Sequence, residues 1–183
     1  MNEATQLMSA SEVDRTLVRL AHEILEHTPD LDTLTFVGIL RRGLPLATRL
    51  AEKISELERR RIPVGSLDIT LYRDDLTQVG DEPRLNRPEI GVTVDGRNVL
   101  LVDDVLYTGR TTRAAMDALF SVGRPAQVSL LALIDRGHRE LPIAATYVGR
   151  KVSTTSNQIV EVKLKETDES EKVLLVSRPG GSR

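Results

Sequence analysis

"VLLVDDVLYTGRTTRAAMDAL", residues 99–119, runs four apolar residues into two adjacent aspartates, then a Thr-Gly turn, then residues at helical spacing. A strand, a turn and a helix start in that order offer backbone N–H groups and the positive end of a helix dipole to a ligand, which suits a phosphate. Gly109 allows close backbone approach, and Thr108, Thr111 and Thr112 add hydroxyl donors. The turn is not a Walker loop, because the lysine and the glycine spacing are missing, and it lacks the second glycine of a dinucleotide fingerprint. Asp103 and Asp104 precede the cradle. Carboxylates accept hydrogen bonds from vicinal hydroxyls and bind hard cations such as magnesium. A ligand with a phosphate at one end and paired hydroxyls beside it satisfies both halves, and a ribose 5-phosphate is one. Most acid pairs after a strand are solvated turns or caps. A receiver-type phosphoacceptor also clusters aspartates, but it needs an ordered acid, acceptor and lysine series that this chain lacks.

Outward from this stretch, strand and helix alternate. Val13, Leu17, Leu20, Ala21 and Ile24 make one helical stripe, with Ser9 or Ser11 as its cap and Thr28-Pro29-Asp30 as its stop. Leu34–Leu40 reads as a buried strand ending at "RRG", followed by a helix over Gly43–Arg60 and a strand over Val64–Arg73. Residues 74–96 are charged and show no period, which marks a functional or disordered loop. "NVLLVDD" is a strand, Thr111–Val122 a helix, and "QVSLLALID" a strand apolar enough to be covered on both faces. "TYVG", "QIVEVKL" and "KVLLVSR" read as short strands, and residues 1–8 and 179–183 as frayed ends. The pattern predicts an α/β fold with a mostly parallel central sheet, in one domain spanning 1–183. Ligands sit at the carboxyl ends of such strands, so "RRG" and "DDVLYTGRT" are expected to be neighbours.

The 183 residues suffice for a full core, and only 3% are aromatic, so Leu, Val, Ile and Ala must build it. Absence of cysteine excludes thiolate catalysis and Cys-based zinc sites, and fits a cytoplasmic location. No signal peptide or apolar run of membrane-spanning length is visible. A net charge of −2 argues against indiscriminate nucleic-acid binding without excluding a local basic patch.

"VLLVDDVLYTGRT" resembles the PRPP-binding motif of type I phosphoribosyltransferases. With "VGILRRGLPLATRLAEKI", "DITLYRDDL", "AAMDALFSVGRP" and "DRGHRELPI", the chain resembles the bifunctional pyrimidine operon regulators over roughly residues 10–165. The resemblance implies a type I phosphoribosyltransferase fold with a small hood and a flexible lid, and the reaction of uracil with PRPP and magnesium to give UMP and pyrophosphate. It implies that Asp103 and Asp104 hold the ribose hydroxyls, directly or through magnesium, and that Leu106, Tyr107, Thr108, Gly109, Arg110 and Thr111 hold the 5-phosphate. Arg41, Arg42 and Gly43 match the pyrophosphate loop, where the family often has a non-proline cis peptide; Arg42 joins the aspartates as a catalytic candidate. Arg73, with Asp74 and Asp75, opens the lid. Tyr107 stands where purine-salvage relatives carry an aspartate, which points away from 6-oxopurines, and the base is expected to meet backbone groups of Ile134, Asp135 and Arg136.

The same resemblance implies binding to a pyrimidine-operon mRNA leader. Arg15, Arg19 and His22 form a polar stripe on the first helix, with His138, Arg139, Arg150 and Lys151 as the matching second patch. Arg19 and Arg139 are expected to serve RNA without touching the enzyme site. Val18, His27 and Ala144 replace a hydroxyl or basic residues common in relatives, which leaves open an enzyme that has lost tight RNA binding. A homodimer or higher homo-oligomer is the expected assembly.

Overall fold

The computed structural model describes residues 4–72 and 87–178. Its element order is β1 (Ala4–Ser9), α1 (Ala10–His27), β2 (Leu34–Ile39), α2 (Gly43–Glu58), β3 (Val64–Leu67), β4 (Asn98–Leu106), α3 (Arg110–Val122), β5 (Gln127–Asp135), β6 (Tyr147–Lys151), β7 (Gln158–Lys163) and β8 (Lys172–Ser177). The central sheet has order β3-β2-β4-β5-β6, and every pair in it is parallel. Period-two alternation sorts its side chains into two cores. Phe36, Leu100, Val102, Leu131 and Leu133 face α1 and α2, whereas Val37, Ile39, Leu101, Leu130 and Ala132 face α3. That is the two-sided cover expected of the apolar run in β5.

A second, antiparallel sheet of order β1-β8-β7 forms the hood. It joins the α1/α2 core through Met8, Val162, Leu164 and Val173. The expectation of a frayed start over residues 1–8 is therefore corrected: residues 4–9 are strand β1. Ser9 at its end caps α1 in a reciprocal box, accepting from the Glu12 N–H (3.3 Å) while its own N–H donates to Glu12 Oε2 (2.8 Å).

Two boundaries also differ from the sequence reading. The strand expected to run from Val64 to Arg73 stops at Leu67 and becomes a 3₁₀ turn at Thr70–Tyr72. Asp68 Oδ1 accepts from both the N–H (2.9 Å) and the hydroxyl (2.6 Å) of Thr70, a local alternative that takes the backbone out of the ladder. Helix α2 ends at Glu58, before the expected Arg60, because Arg59 is left-handed at φ 55°. Arg73, Asp74 and Asp75 lie outside the described residues. The last part of the loop, residues 87–96, has no helix or strand, yet Ile90 and Val94 are buried and the Ile90 carbonyl accepts from the Ser66 N–H (3.0 Å).

The connections from β2 and β4 diverge in this strand order, which makes their carboxyl ends the topological switch point of the sheet. Gly38 of β2 is in register with Val102 of β4, so "RRG" and the acid pair emerge side by side.

Candidate active site

Asp103 and Asp104 are residues six and seven of β4, and the sheet that buries the strand buries them unequally. Asp103 is only 8% exposed, while Asp104 is half-buried at the cavity. Asp103 Oδ1 accepts from the Asp104 N–H (2.9 Å), and Asp104 Oδ1 from the Val105 N–H (2.9 Å), so each carboxylate is oriented by the next peptide. Burial first, then the charge of Asp104, pushes the Asp103 carboxyl well above the usual carboxylate range. Opposite them, the Leu40–Arg41 peptide is cis, as the resemblance implied. Gly43 opens α2 so close to β4 that an added Cβ would lie 2.2 Å from the Val102 carbonyl oxygen, so no other residue fits there without moving backbone.

A cavity of about 250 Å³ lies between the two turns, lined by Arg41, Arg42, Asp68, Thr70, Asp103, Asp104 and Thr111, among others. The expectation that "RRG" and the acid pair are neighbours holds. Arg41 is exposed and Arg42 half-buried. Asp168, in the β7–β8 loop, takes Arg42 by Nε (3.2 Å) and Nη2 (2.9 Å). That bidentate contact raises the Arg42 pKa and holds the Asp168 carboxyl far below its ordinary value. Asp68 and Asp168 were missed in the sequence. The "DIT" spacing of a side-chain-capped turn is a signal that finds the first, and no motif marks the second.

Beyond Asp104 the chain turns through Tyr107, Thr108 and Gly109 into α3. Gly109, at φ 93°, caps the helix in a conformation that glycine adopts without strain. The segment after β5 braces this turn. Arg139 Nη1 donates to the Tyr107 carbonyl (2.7 Å), and the N–H groups of Glu140 (2.9 Å) and Leu141 (3.1 Å) donate to the Thr108 carbonyl. Arg139 also holds Asp135 (2.6 Å) and the Ile143 carbonyl (2.8 Å), so its guanidinium is part of the turn's support. This corrects the expectation that Arg139 is separate from the enzyme site. Arg110 pairs with Glu140 at 2.9 Å. Thr111 lines the cavity, whereas Thr112 is buried and offers it no hydroxyl.

Backbone groups of Ile134–Arg136 are already engaged. The Arg136 N–H donates to the Leu106 carbonyl (3.0 Å), and the Asp135 carbonyl accepts from the Val152 N–H (2.9 Å). The sheet therefore engages most of the backbone groups expected to meet a base, the Arg136 carbonyl taking only the Thr154 hydroxyl at 3.4 Å; Ile134 itself is fully buried. Instead the Arg136 guanidinium lies 3.9 Å from the centroid of the Tyr107 ring, which is 39% exposed. His138 meets that ring edge-on at 5.8 Å between centroids. Arg136 is buried, donating to the Thr154 hydroxyl (3.2 Å) and the Gln158 carbonyl (2.6 Å), and burial lowers its pKa.

Residues 4–167 match the phosphoribosyl transferase domain family. The chain belongs to that family. Among the relatives of this phosphoribosyltransferase is the Bifunctional protein PyrR of Thermoanaerobacter pseudethanolicus, 51% identical over 97% of this chain and 100% of that protein. The Bifunctional protein PyrR of Thermus aquaticus is 50% identical over 98% and 99%, and that of Deinococcus deserti 54% over 88% of each. Solved structures share the phosphoribosyltransferase fold at low identity. A Bacillus anthracis hypoxanthine-guanine phosphoribosyltransferase superposes with TM-score 0.70 at 18% identity, covering 96% of this chain and 99% of the other. A Trypanosoma cruzi hypoxanthine phosphoribosyltransferase gives 0.72 at 21%, covering 97% and 96%.

The residues expected to meet RNA fall on and around the outer edge of β6. Arg15, Arg19 and His22 are exposed on α1, and His138, Arg150 and Lys151 are exposed beside it. Two of these arginines are also tied down. Arg19 Nη2 donates to the Val148 (3.3 Å) and Gly149 (2.6 Å) carbonyls of β6, and Arg150 reaches the Leu7 carbonyl. His138 Nε2 bonds the Thr154 carbonyl at 2.7 Å. No helix among the described residues is long and apolar enough to cross a membrane.

Proposed function

We propose that this phosphoribosyltransferase joins uracil to PRPP, giving UMP and pyrophosphate, and binds the leader of a pyrimidine-operon mRNA when UMP is bound. The observation that carries the reading is the acid pair on β4 facing the arginine loop across one cavity, in a chain half identical to bifunctional relatives.

Breaking the bond at the anomeric carbon builds positive charge on the ribose and negative charge on the leaving pyrophosphate. Catalysis is then mostly positioning and electrostatics. Asp104, with Asp103 behind it, holds the ribose hydroxyls and favours the electron-poor ring. The carbonyls of Tyr107 and Thr108 are turned to their brace. That leaves the N–H side of the turn over Leu106–Thr111, with the Thr108 and Thr111 hydroxyls, for the 5-phosphate. Arg41, Arg42 and Gly43 take the pyrophosphate, and Arg73 reaches it from the lid. Tyr107, propped by Arg136, gives the base an aromatic face and offers no carboxylate for a purine ring proton.

The donor set suits magnesium. The described residues hold no group of three or more His, Cys, Asp and Glu that could cage a cation. Two carboxylates at a substrate cavity fit an ion that shares its ligands with substrate oxygens. Asp103 and Asp104 would hold it, and it would neutralise charge on the departing pyrophosphate.

On the regulatory side, Arg15, Arg19, His22, His138, Arg139, Arg150 and Lys151 supply the RNA surface, Arg139 from a position that also serves the phosphate turn. The protein works in the cytoplasm as a homodimer or higher homo-oligomer. A steady-state assay with uracil, hypoxanthine and guanine tests the enzyme: turnover of uracil alone is expected, and comparable efficiency with a 6-oxopurine overturns the role given to Tyr107. A gel shift against the leader, with and without UMP, tests the regulator. Wild type that binds the leader no better than a scrambled RNA is an enzyme alone.

A further inference from the structure

Arg42 is pinned at both ends. Its backbone is the N-cap of α2, with its carbonyl accepting from the Leu46 N–H at 3.4 Å. Its guanidinium tip is held by a residue 126 positions away, Asp168, which donates no group to the cavity itself. The carboxylate of Asp168 is fixed independently of Arg42: Oδ2 accepts from the Leu164 N–H (3.0 Å) and the Thr167 hydroxyl (2.8 Å), and the Asp168 N–H donates back to the Leu164 carbonyl (2.6 Å). A neighbouring contact already anchors the same loop to α2. Arg49 grips Glu166 with Nε and Nη2 (2.7 Å each) and Glu171 with Nη1 and Nη2 (2.9 Å each). Attachment of the hood therefore does not need Asp168.

We propose that Asp168 is a positioning residue for PRPP binding, acting through Arg42. The inference rests on the reading of this cavity as a phosphoribosyl site and names a residue that reading leaves out. Two of the five guanidinium N–H groups are committed to a fixed carboxylate, which sets the plane of the fork. The remaining donors are then presented to the cavity that Arg42 shares with Asp104 and Thr111. An arginine on an exposed loop loses side-chain entropy when it clamps an anion; one already held in plane loses less.

Calorimetric titration of the full chain with PRPP and magnesium, with pyrophosphate and magnesium, and with ribose 5-phosphate tests this. Asp168→Asn is expected to weaken PRPP and pyrophosphate by about tenfold and leave ribose 5-phosphate unchanged. Asp168→Glu, which keeps an acceptor pair, restores most of the loss. In an Arg42→Gln background, Asp168→Asn adds nothing. Glu166→Gln lowers the melting temperature and leaves all three affinities as they were. Thr167→Val, which removes one of the two bonds that fix Oδ2 and keeps the carboxylate, gives a smaller loss of the same pattern and serves if Asp168→Asn does not fold. Unchanged pyrophosphate affinity, an equal loss for ribose 5-phosphate, or additivity with Arg42→Gln overturns the proposal. Wild type that binds pyrophosphate but not PRPP sinks the phosphoribosyl reading, and the pyrophosphate arm still decides the role of Asp168.

Discussion

After β4 the chain turns into α3 and its carbonyls are received by backbone and side-chain donors of residues 139–141. After β2 it turns into α2, and the side chain that matters there is received by a carboxylate 126 residues away in the hood. The first turn is held at Thr108 by main-chain donors, which every substitution but proline keeps, with the Arg139 side chain added at Tyr107. The second is held by one ion pair, which single substitutions remove. The geometry of the turn after β4 is thus a property of the central sheet, and that of the Arg42 guanidinium a property of how two sheets meet.

Four substitutions sharpen or break that contrast. Asp104→Asn keeps the shape of the proposed sugar site and removes the Asp104 charge. Turnover is expected to fall about a hundred-fold, as when a preorganised electrostatic group is lost, and near-normal turnover would remove the acid pair from the mechanism. Arg139→Ala strips the side-chain part of the brace and leaves the half-buried Asp135 carboxylate unpaired. About 2 kcal/mol of stability and roughly tenfold in kcat/KM are expected to go, read by urea denaturation and by the uracil assay. If activity survives intact, backbone donors alone hold the turn.

The third prediction concerns pH. Arg42 holds the Asp168 carboxyl far below its unfolded value near 3.9, so in acid the unfolded chain takes up the proton first. The pair's contribution is fully present above about pH 5 and is lost progressively as pH falls toward the folded pKa. Urea midpoints of wild type and Asp168→Asn should therefore differ most at pH 7 and draw steadily closer as pH falls below about 5; a constant gap would show that the pair is not what separates them. The smallest effect belongs to Glu140→Gln. Arg110 and Glu140 are each about half exposed, and such pairs contribute under about 1 kcal/mol. A melting curve that superposes on wild type is expected, since the Glu140 N–H that braces Thr108 is untouched.

The same contrast explains what the sequence disclosed. Strand, acid pair, Thr-Gly turn and helix lie within 21 contiguous residues, and their spacing carries the geometry. The parallel character of the central sheet and the meeting of "RRG" with the acid pair followed from alternation. Strand β1 escaped notice because its only buried residue is Met8 and its partner β8 lies at the other end of the chain. Asp168 sits in "KLKETDESEKV", which reads as a solvated charge run, and nothing local marks one of its carboxylates as the mate of Arg42. Arg136 is expected from the sequence to offer its backbone; that its guanidinium lies against Tyr107 depends on how β4 and β5 end side by side.

Strand β1 pairs Ala4 with Val176 and Ser9 with Lys172. On the ribosome, strand β1 therefore waits for β8. The central sheet and the turn after β4 are complete once β6 has emerged, but the hood closes only when β8 arrives. A chain cut short after Lys163 carries the acid pair and the arginine loop yet lacks the carboxylate that holds Arg42. Finishing the site is left to the loop between β7 and β8.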